Sequence, residues 1–231
     1  MSAFFITSSG TEIGKTFITG LMARQLRAGG FSVNALKPVI SDYSDDRFAE
    51  SDTAHLLAAM ARPADSHTIA AISPWRFAAP LSPDMAARRE GRNLDLAEIV
   101  EFCRAAMAGP EEFLLIEGVG GVMVPLNDRD LVRDWMAALA IPAILVVGSY
   151  LGTISHTLTA LDSLEKAGVP LAGIVISESA DSGVPLDETL ATIARFIGDT
   201  PLVCVPRLGP ESDAMAAPDL TALLRKEGRS A

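Results

Sequence analysis

The stretch Phe4-Phe5-Ile6-Thr7-Ser8-Ser9-Gly10-Thr11-Glu12-Ile13-Gly14-Lys15-Thr16 constrains this chain more than any other. A short apolar run stops at small polar residues, turns through glycines and enters an amphipathic segment at Gly14-Lys15-Thr16. That order predicts a buried strand, a turn whose backbone N–H groups surround phosphate oxygens, and a helix N-terminus. The helix end carries roughly half a positive charge and unpaired N–H donors. Lys15 reaches terminal phosphates, and the Thr16 hydroxyl is placed for Mg²⁺. The strict G-x-x-x-x-G-K-[ST] pattern fails, because Ser9 occupies its first glycine position and Gly10-x-x-x-Gly14 is one residue shorter. The strand before the tripeptide and the helix after it still predict a nucleoside triphosphate site.

The same strand-then-helix rhythm runs through the chain. Candidate strands are Ala3–Thr7, Ser32–Ile40, Phe113–Glu117, Ala143–Gly148, Leu171–Ser177 and Pro201–Val205. Helical patterns occupy Lys15–Ala28, Asp52–Ala61, Asp95–Ala108, Leu131–Leu139, Thr153–Ala167 and Leu186–Ile197, with a last one near Asp219–Lys226. Ile154, Leu158, Leu161 and Leu164 illustrate the helical spacing. Continuous apolar strands alternating with helices predict an α/β fold of three layers, a mostly parallel sheet covered on both faces. Ligands collect at the carboxyl ends of such strands. Two regions break the rhythm: the acidic Asp42–Ser51 and the proline-containing connection Ile72–Gly91. Irregular insertions of this length are often functional, although the first also reads as a solvated loop. No repeat or linker divides the chain, so residues 1–231 are expected to form one domain.

With 231 residues, 49% of them hydrophobic, the chain is large enough to bury a full core. A net charge of −10 leaves no electrostatic footprint for nucleic acid or an anionic membrane. Cys103 and Cys204 are the only cysteines and read as core residues in a reducing compartment. No signal-peptide organisation and no membrane-length apolar run is present, which predicts a cytoplasmic protein.

Chemistry is expected where strands end. Glu117 closes the apolar run Phe113-Leu114-Leu115-Ile116, and a buried carboxylate there needs a partner or a metal. Gly118-Val119-Gly120-Gly121 follows and lets backbone approach a ligand. The plainer reading of Glu117 is an acid capping the next turn. Asp52, taken alone, reads as a helix N-cap and otherwise as a metal ligand. Lys37, before Pro38, is expected to face an anion opposite Lys15, or else to be an edge-strand lysine. Both lysines are expected to act on anions rather than in the core. Two cations, two carboxylates and a hydroxyl suggest phosphoryl transfer. His55, His67 and His156 are isolated and read as structural or surface residues.

These stretches together resemble the dethiobiotin synthetases, the penultimate enzymes of biotin biosynthesis, from about residue 3 to about residue 210. The likeness rests on Thr11-Glu12-Ile13-Gly14-Lys15-Thr16, Lys37-Pro38-Val39 with Ser41, Ser51-Asp52, Phe77-Ala78-Ala79-Pro80-Leu81-Ser82-Pro83, Glu117-Gly118-Val119-Gly120-Gly121, Leu145-Val146-Val147-Gly148 and Leu151-Gly152-Thr153-Ile154-Ser155-His156. The resemblance implies a P-loop ligase that converts 7,8-diaminopelargonate, CO₂ (or bicarbonate) and ATP to dethiobiotin, ADP and phosphate through a carbamate and a carbamic–phosphoric anhydride. It implies that Glu12, Ile13, Gly14, Lys15, Thr16 and Phe17 hold the triphosphate, with Glu117, Gly118, Val119 and Gly120 alongside. Thr16, Asp52 and Glu117 surround Mg²⁺. Lys37, Lys15 and Thr11 act in catalysis, and Ser41, Pro80 and Ser82 meet the diamine. Ser177, Glu178, Pro206, Arg207 and Leu208 lie at the nucleobase. A homodimer is also implied, with Gly152, Thr153 and Ser155 of one subunit reaching the other's substrate.

Two departures from the family pattern stand out. Ser8 occupies a position where glycine commonly begins the loop. Ser177 and Glu178 stand where an asparagine often reads the base, so nucleobase selectivity is expected to be weaker. Two other readings share the sheet and the Gly-Lys-Thr segment. One is a deviant Walker-type ATPase switch of the partitioning or septum-positioning class; Ser8, Ser9 and Gly10 offer no extra loop lysine for it, and the tail at Arg225–Arg229 is short and mixed in sign. The other is the synthetase half of a glutamine-dependent amidotransferase, which would need a glutaminase domain.

Overall fold

The computed structural model describes residues 1–180, 182–208 and 217–224. Six parallel strands form the central sheet in the order β2-β5-β1-β6-β7-β8. They are β1 (Ser2–Ser8), β2 (Val33–Leu36), β5 (Phe113–Glu117), β6 (Ala143–Val147), β7 (Leu171–Ser177) and β8 (Leu202–Val205). Every residue of β6 is buried, as are the last four of β5. Such runs require helices on both faces of the sheet, which is why these strands read as continuous apolar segments. The longer helices are α1 (Lys15–Ala28), α2 (Asp52–Ala59), α5 (Leu96–Met107), α6 (Val132–Leu139), α7 (Thr153–Lys166) and α8 (Leu186–Ala194). Trp135 of α6 is fully buried and meets the Phe5 ring edge-on at 4.8 Å, locking that helix onto the sheet. Cys103 lies in the same core, and burial pushes its thiol up to about 12. Cys204 is only partly buried. Among the described residues, no helix is long and apolar enough to cross a membrane.

Several expectations are corrected. The strand expected over Ser32–Ile40 is broken at Lys37-Pro38. Pro38 has no N–H for the ladder, so the chain leaves the main sheet. It restarts as β3 (Val39–Ile40), which pairs in parallel with β4 (Trp75–Arg76). The connection Ile72–Gly91 is therefore not irregular: it carries β4 and α4 (Pro83–Arg89), and α3 (Ser66–Ile72) precedes it. The acidic Asp42–Ser51 stretch holds a 3₁₀ turn, Asp45–Glu50. Near the end, a 3₁₀ turn at Thr221–Leu224 stands within the helix expected over Asp219–Lys226. The end of that expected helix and the Arg225–Arg229 tail lie outside the described residues.

The register prepares the site. Ile6 pairs with Glu117 and Leu36 with Ile116, so Lys37 follows β2 level with Glu117 at the carboxyl edge. Ser8 pairs with Val146, which starts the phosphate loop in the middle of that edge.

Candidate active site

β1 ends at the buried Ser8 and the chain turns toward α1. Gly14 lies at φ 95°, and a Cβ there would sit 2.7 Å from Ser177 Oγ, so the position needs glycine twice over. No side chain caps the start of α1, which leaves its first N–H groups to a ligand. Ser8 is the last residue of an extended strand, so the loop's early turn does not need a glycine there. Its hydroxyl lies within hydrogen-bonding distance of the Gly10 and Gly120 carbonyls, the latter at 3.1 Å, and accepts from Lys15 Nζ at 3.1 Å. Val122 N–H also donates to Ser8 O at 3.0 Å. The loop is thereby fastened to the turn that follows Glu117.

Three elements meet at that turn. Glu117 is fully buried at the end of β5 and accepts from Lys37 Nζ at 2.7 Å. Lys37 Nζ also lies 2.7 Å from Asp52 Oδ2 and donates to Gly118 O at 2.9 Å. Thr16 Oγ1 is 2.7 Å from both Asp52 Oδ1 and Glu117 Oε1, and its single proton serves one of them at a time. Burial alone would lower the Lys37 pKa, but Asp52 and Glu117 outweigh it and hold the ammonium above the ordinary lysine range. Burial would raise Asp52, yet Lys37 and Thr16 bring it down to about 2. The sign is the same for both partners. Asp52 contributes stability above its ordinary value of 3.8, lost as pH falls through about 2. Lys37 contributes below its ordinary 10.5, lost as pH rises beyond that. Burial first and Lys37 second lower Lys15 to about 8.

These contacts revise three expectations. Asp52 is not the N-cap of α2. Ser51 Oγ accepts the Ala54 N–H at 3.2 Å, and Asp52, one residue on, turns its carboxylate to Lys37 and Thr16. The anions that Lys37 faces are the protein's own carboxylates, Asp52 and Glu117, and it is no exposed edge-strand lysine. Neither lysine lies outside the core, since Lys15 is 6% and Lys37 3% exposed.

A cavity of about 730 Å³ opens in front of this cluster. Its walls combine Thr11–Thr16, Lys37, Asp52, Val119 and Gly120 with Ser41, Pro80 and Ser82. The phosphate loop and the Lys-Pro-Val and Ser-Pro stretches thus share one space. An AAA domain family model matches residues 2–214. The ATP-dependent dethiobiotin synthetase BioD of Methylobacterium nodulans is 49% identical over 90% of this chain and 95% of its own. That of Acidiphilium cryptum is 48% identical over 87% and 91%. That of Phenylobacterium zucineum is 40% identical over the full length of both. The chain belongs to the ATP-dependent dethiobiotin synthetases.

Solved structures agree on the fold. A ParA family ATPase from Chlorobium tepidum superposes with TM-score 0.53 at 16% identity, over 90% of this chain and 85% of that one. The MinC:MinD complex of Aquifex aeolicus gives 0.57 at 12%, over 91% and 83%. At such identities the likeness is one of P-loop fold, which the synthetases share with these ATPases.

Other residues singled out by the synthetase resemblance lie outside the cavity wall. Phe17 is 37% exposed on the first turn of α1. Glu117 and Gly118 sit behind the wall, and Glu117 reaches it through Thr16. Ser177 faces Gly14, while Glu178 Oε2 accepts the Arg207 N–H at 2.7 Å and ties down the segment Pro206, Arg207, Leu208. Gly152, at φ 100°, and Thr153 start α7, and Ser155 follows in its first turn. None of the three lines the cavity, and Leu151 beside them is 88% exposed. The sequence reading missed Asp42, a wall residue, because it was absorbed into an acidic loop. Its position directly after Ser41, past a strand end, was the available signal.

The donor set suits a small hard cation. Among the described residues, no group of three or more His, Cys, Asp and Glu is arranged to hold a metal ion. Asp52, Glu117 and the Thr16 hydroxyl are a sparse set of the kind Mg²⁺ uses beside nucleotide phosphates. Glu117 Oε2 is buried without a hydrogen-bond partner, an acceptor left over for a cation.

Proposed function

We propose that the chain forms dethiobiotin from 7,8-diaminopelargonate, CO₂ and ATP, with Mg²⁺. One substrate amine bonds to CO₂ and loses a proton, giving a carbamate. The carbamate oxygen attacks the γ-phosphorus and ADP leaves. The neighbouring amine attacks the activated carbonyl and gives up a proton, phosphate departs and the ureido ring closes. Holding the second amine beside that carbonyl supplies a large effective molarity. Lys15 and the uncapped start of α1 bind the triphosphate, with Glu12 to Phe17 around it. Lys37 stabilises the carbamate and the charge developing in phosphoryl transfer, and Thr11 acts beside it. Ser41, Pro80 and Ser82 position the diamine. Thr16, Asp52 and Glu117 would hold Mg²⁺, which when bound neutralises phosphate charge. One domain over residues 1–231 carries the reaction, in the cytoplasm. A homodimer brings Gly152, Thr153 and Ser155 toward the partner's substrate, through the exposed turn at Leu151.

The observation that carries this reading is the single cavity joining the phosphate loop to Ser41, Pro80 and Ser82. Nucleotide turnover is expected to depend on both the diamine and bicarbonate, measured as phosphate release with each omitted in turn. Equal hydrolysis without them would favour the ATPase switch instead.

Base selection should be loose. Ser177 offers a short hydroxyl where an amide would supply both a donor and an acceptor, and Glu178 is occupied with Arg207. CTP and GTP are therefore expected to support turnover within about 10²-fold of ATP, and Ser177→Asn to widen the preference about tenfold. The comparison is kcat/KM for each nucleotide in both proteins. Exclusion of CTP and GTP by several orders of magnitude in the wild type would assign base reading to backbone groups.

A further inference from the structure

Asp42 lines the same cavity as Ser41 and holds φ at 57° without being glycine. Hydrogen bonds on either side impose that backbone. Asp42 N–H donates to Ala79 O at 3.2 Å, Tyr43 N–H to Phe77 O at 3.0 Å, and Phe77 N–H to Ile40 O at 2.9 Å. Aspartate tolerates the left-handed region better than most residues, yet glycine would occupy it at lower cost. Strain kept in a cavity wall points to a use for the side chain. The carboxylate is half exposed, and its Oδ1 accepts from Arg47 Nη2 at 2.8 Å. Oδ2 has no hydrogen-bond partner among the described residues. The pair steadies the carboxylate through Oδ1 and leaves the other oxygen to a further partner.

The cavity's cations, Lys15 and Lys37, lie toward the phosphate loop and sheet edge. On the reading proposed above, the second ligand is an aliphatic vicinal diamine, cationic in neutral water. We infer that Asp42 is a specificity-determining residue whose free carboxylate oxygen accepts from an ammonium of the diamine and draws that end of the substrate to Ser41. Arg47 offsets part of the charge, so the effect is that of one partly exposed ion pair.

Asp42→Asn, which keeps the shape, and Asp42→Gly, which relieves the backbone, test this. Both should raise the diamine KM about three- to fivefold, with kcat at saturation and the ATP KM within about twofold. The difference from wild type should vanish between about 0.02 M and about 0.5 M salt. Asp42→Gly should melt at or above the wild-type temperature, which excludes misfolding as the cause. An unchanged diamine KM in Asp42→Asn, or a rise confined to Asp42→Gly, overturns the inference while leaving the proposed reaction intact. A wild-type protein without diamine-dependent turnover overturns both.

Discussion

Lys37→Ala is expected to lower dethiobiotin formation by about 10³-fold or more and to destabilise the protein in the absence of nucleotide and Mg²⁺. The first effect follows from the proposed role: an ammonium held where negative charge develops stabilises the transition state more than the ground state. The second comes from the ion pairs. Lys37 is buried between Asp52 and Glu117 at 2.7 Å from each, and it is the nearest cation to both. Removing it leaves two carboxylates facing one another, with Glu117 fully buried. Breaking such an arrangement from one side costs about 3 kcal/mol, since the uncompensated charge remains. Two signatures separate this from general disruption. Mg²⁺ should restore part of the lost melting temperature, because a divalent ion can take up the same two carboxylates. The deficit should also shrink as pH falls, because one carboxylate then gains a proton and the repulsion ends. Near-normal turnover in a folded Lys37→Ala protein would remove Lys37 from the chemistry. An unchanged melting temperature would mean that the ion pairs give no net stability.

The parts of this molecule that were legible in the sequence are those set by local pattern. The buried strands around Phe4–Thr7, Phe113–Glu117 and Ala143–Val147 read as unbroken apolar runs because both faces are covered. The phosphate loop read correctly because strand, glycine and helix start are adjacent in the chain. The Lys37–Asp52–Glu117 cluster was legible only as three separate residues. Its geometry depends on Pro38 ending β2 level with Glu117, and on Ser51 taking the cap so that Asp52 stays free. Both are choices between local alternatives that packing decides. Helices α3 and α4 did carry signals. Asp65 and Thr68 form a reciprocal cap, and Pro83 stands at the first turn after Ser82. Proline and serine in that stretch also fit a loop, and each helix is only seven residues long, too short for the periodicity to outvote them.

Glu117→Gln is expected to raise the Mg²⁺ midpoint of turnover at least tenfold while leaving metal-free nucleotide binding within a few-fold. Even groups that only orient a metal's ligands commonly cost about 10–100-fold in affinity when changed, and on the proposed reading Glu117 is a ligand itself. The side chain's two oxygens have different work. Oε1 serves Lys37 Nζ and the Thr16 hydroxyl, both at 2.7 Å, and Oε2 is buried with no partner. A glutamine amide has one acceptor. Its oxygen satisfies Lys37 and Thr16, and its NH₂ then falls at the Oε2 position, presenting a donor where a cation needs a lone pair. The reverse orientation sets NH₂ against the Lys37 ammonium and is worse. Loss of the charge also leaves Asp52 as the only anionic partner of Lys37 in the cluster, so the lysine holds Asp52 more tightly and takes it further from a metal. The Mg²⁺-induced rise in melting temperature should fall in parallel with activity, a readout that does not depend on turnover. If both the Mg²⁺ midpoint and the melting shift match the wild type in a folded Glu117→Gln protein, Glu117 is a structural anchor for Lys37 and Thr16, and the cation is held by Asp52, Thr16 and the nucleotide.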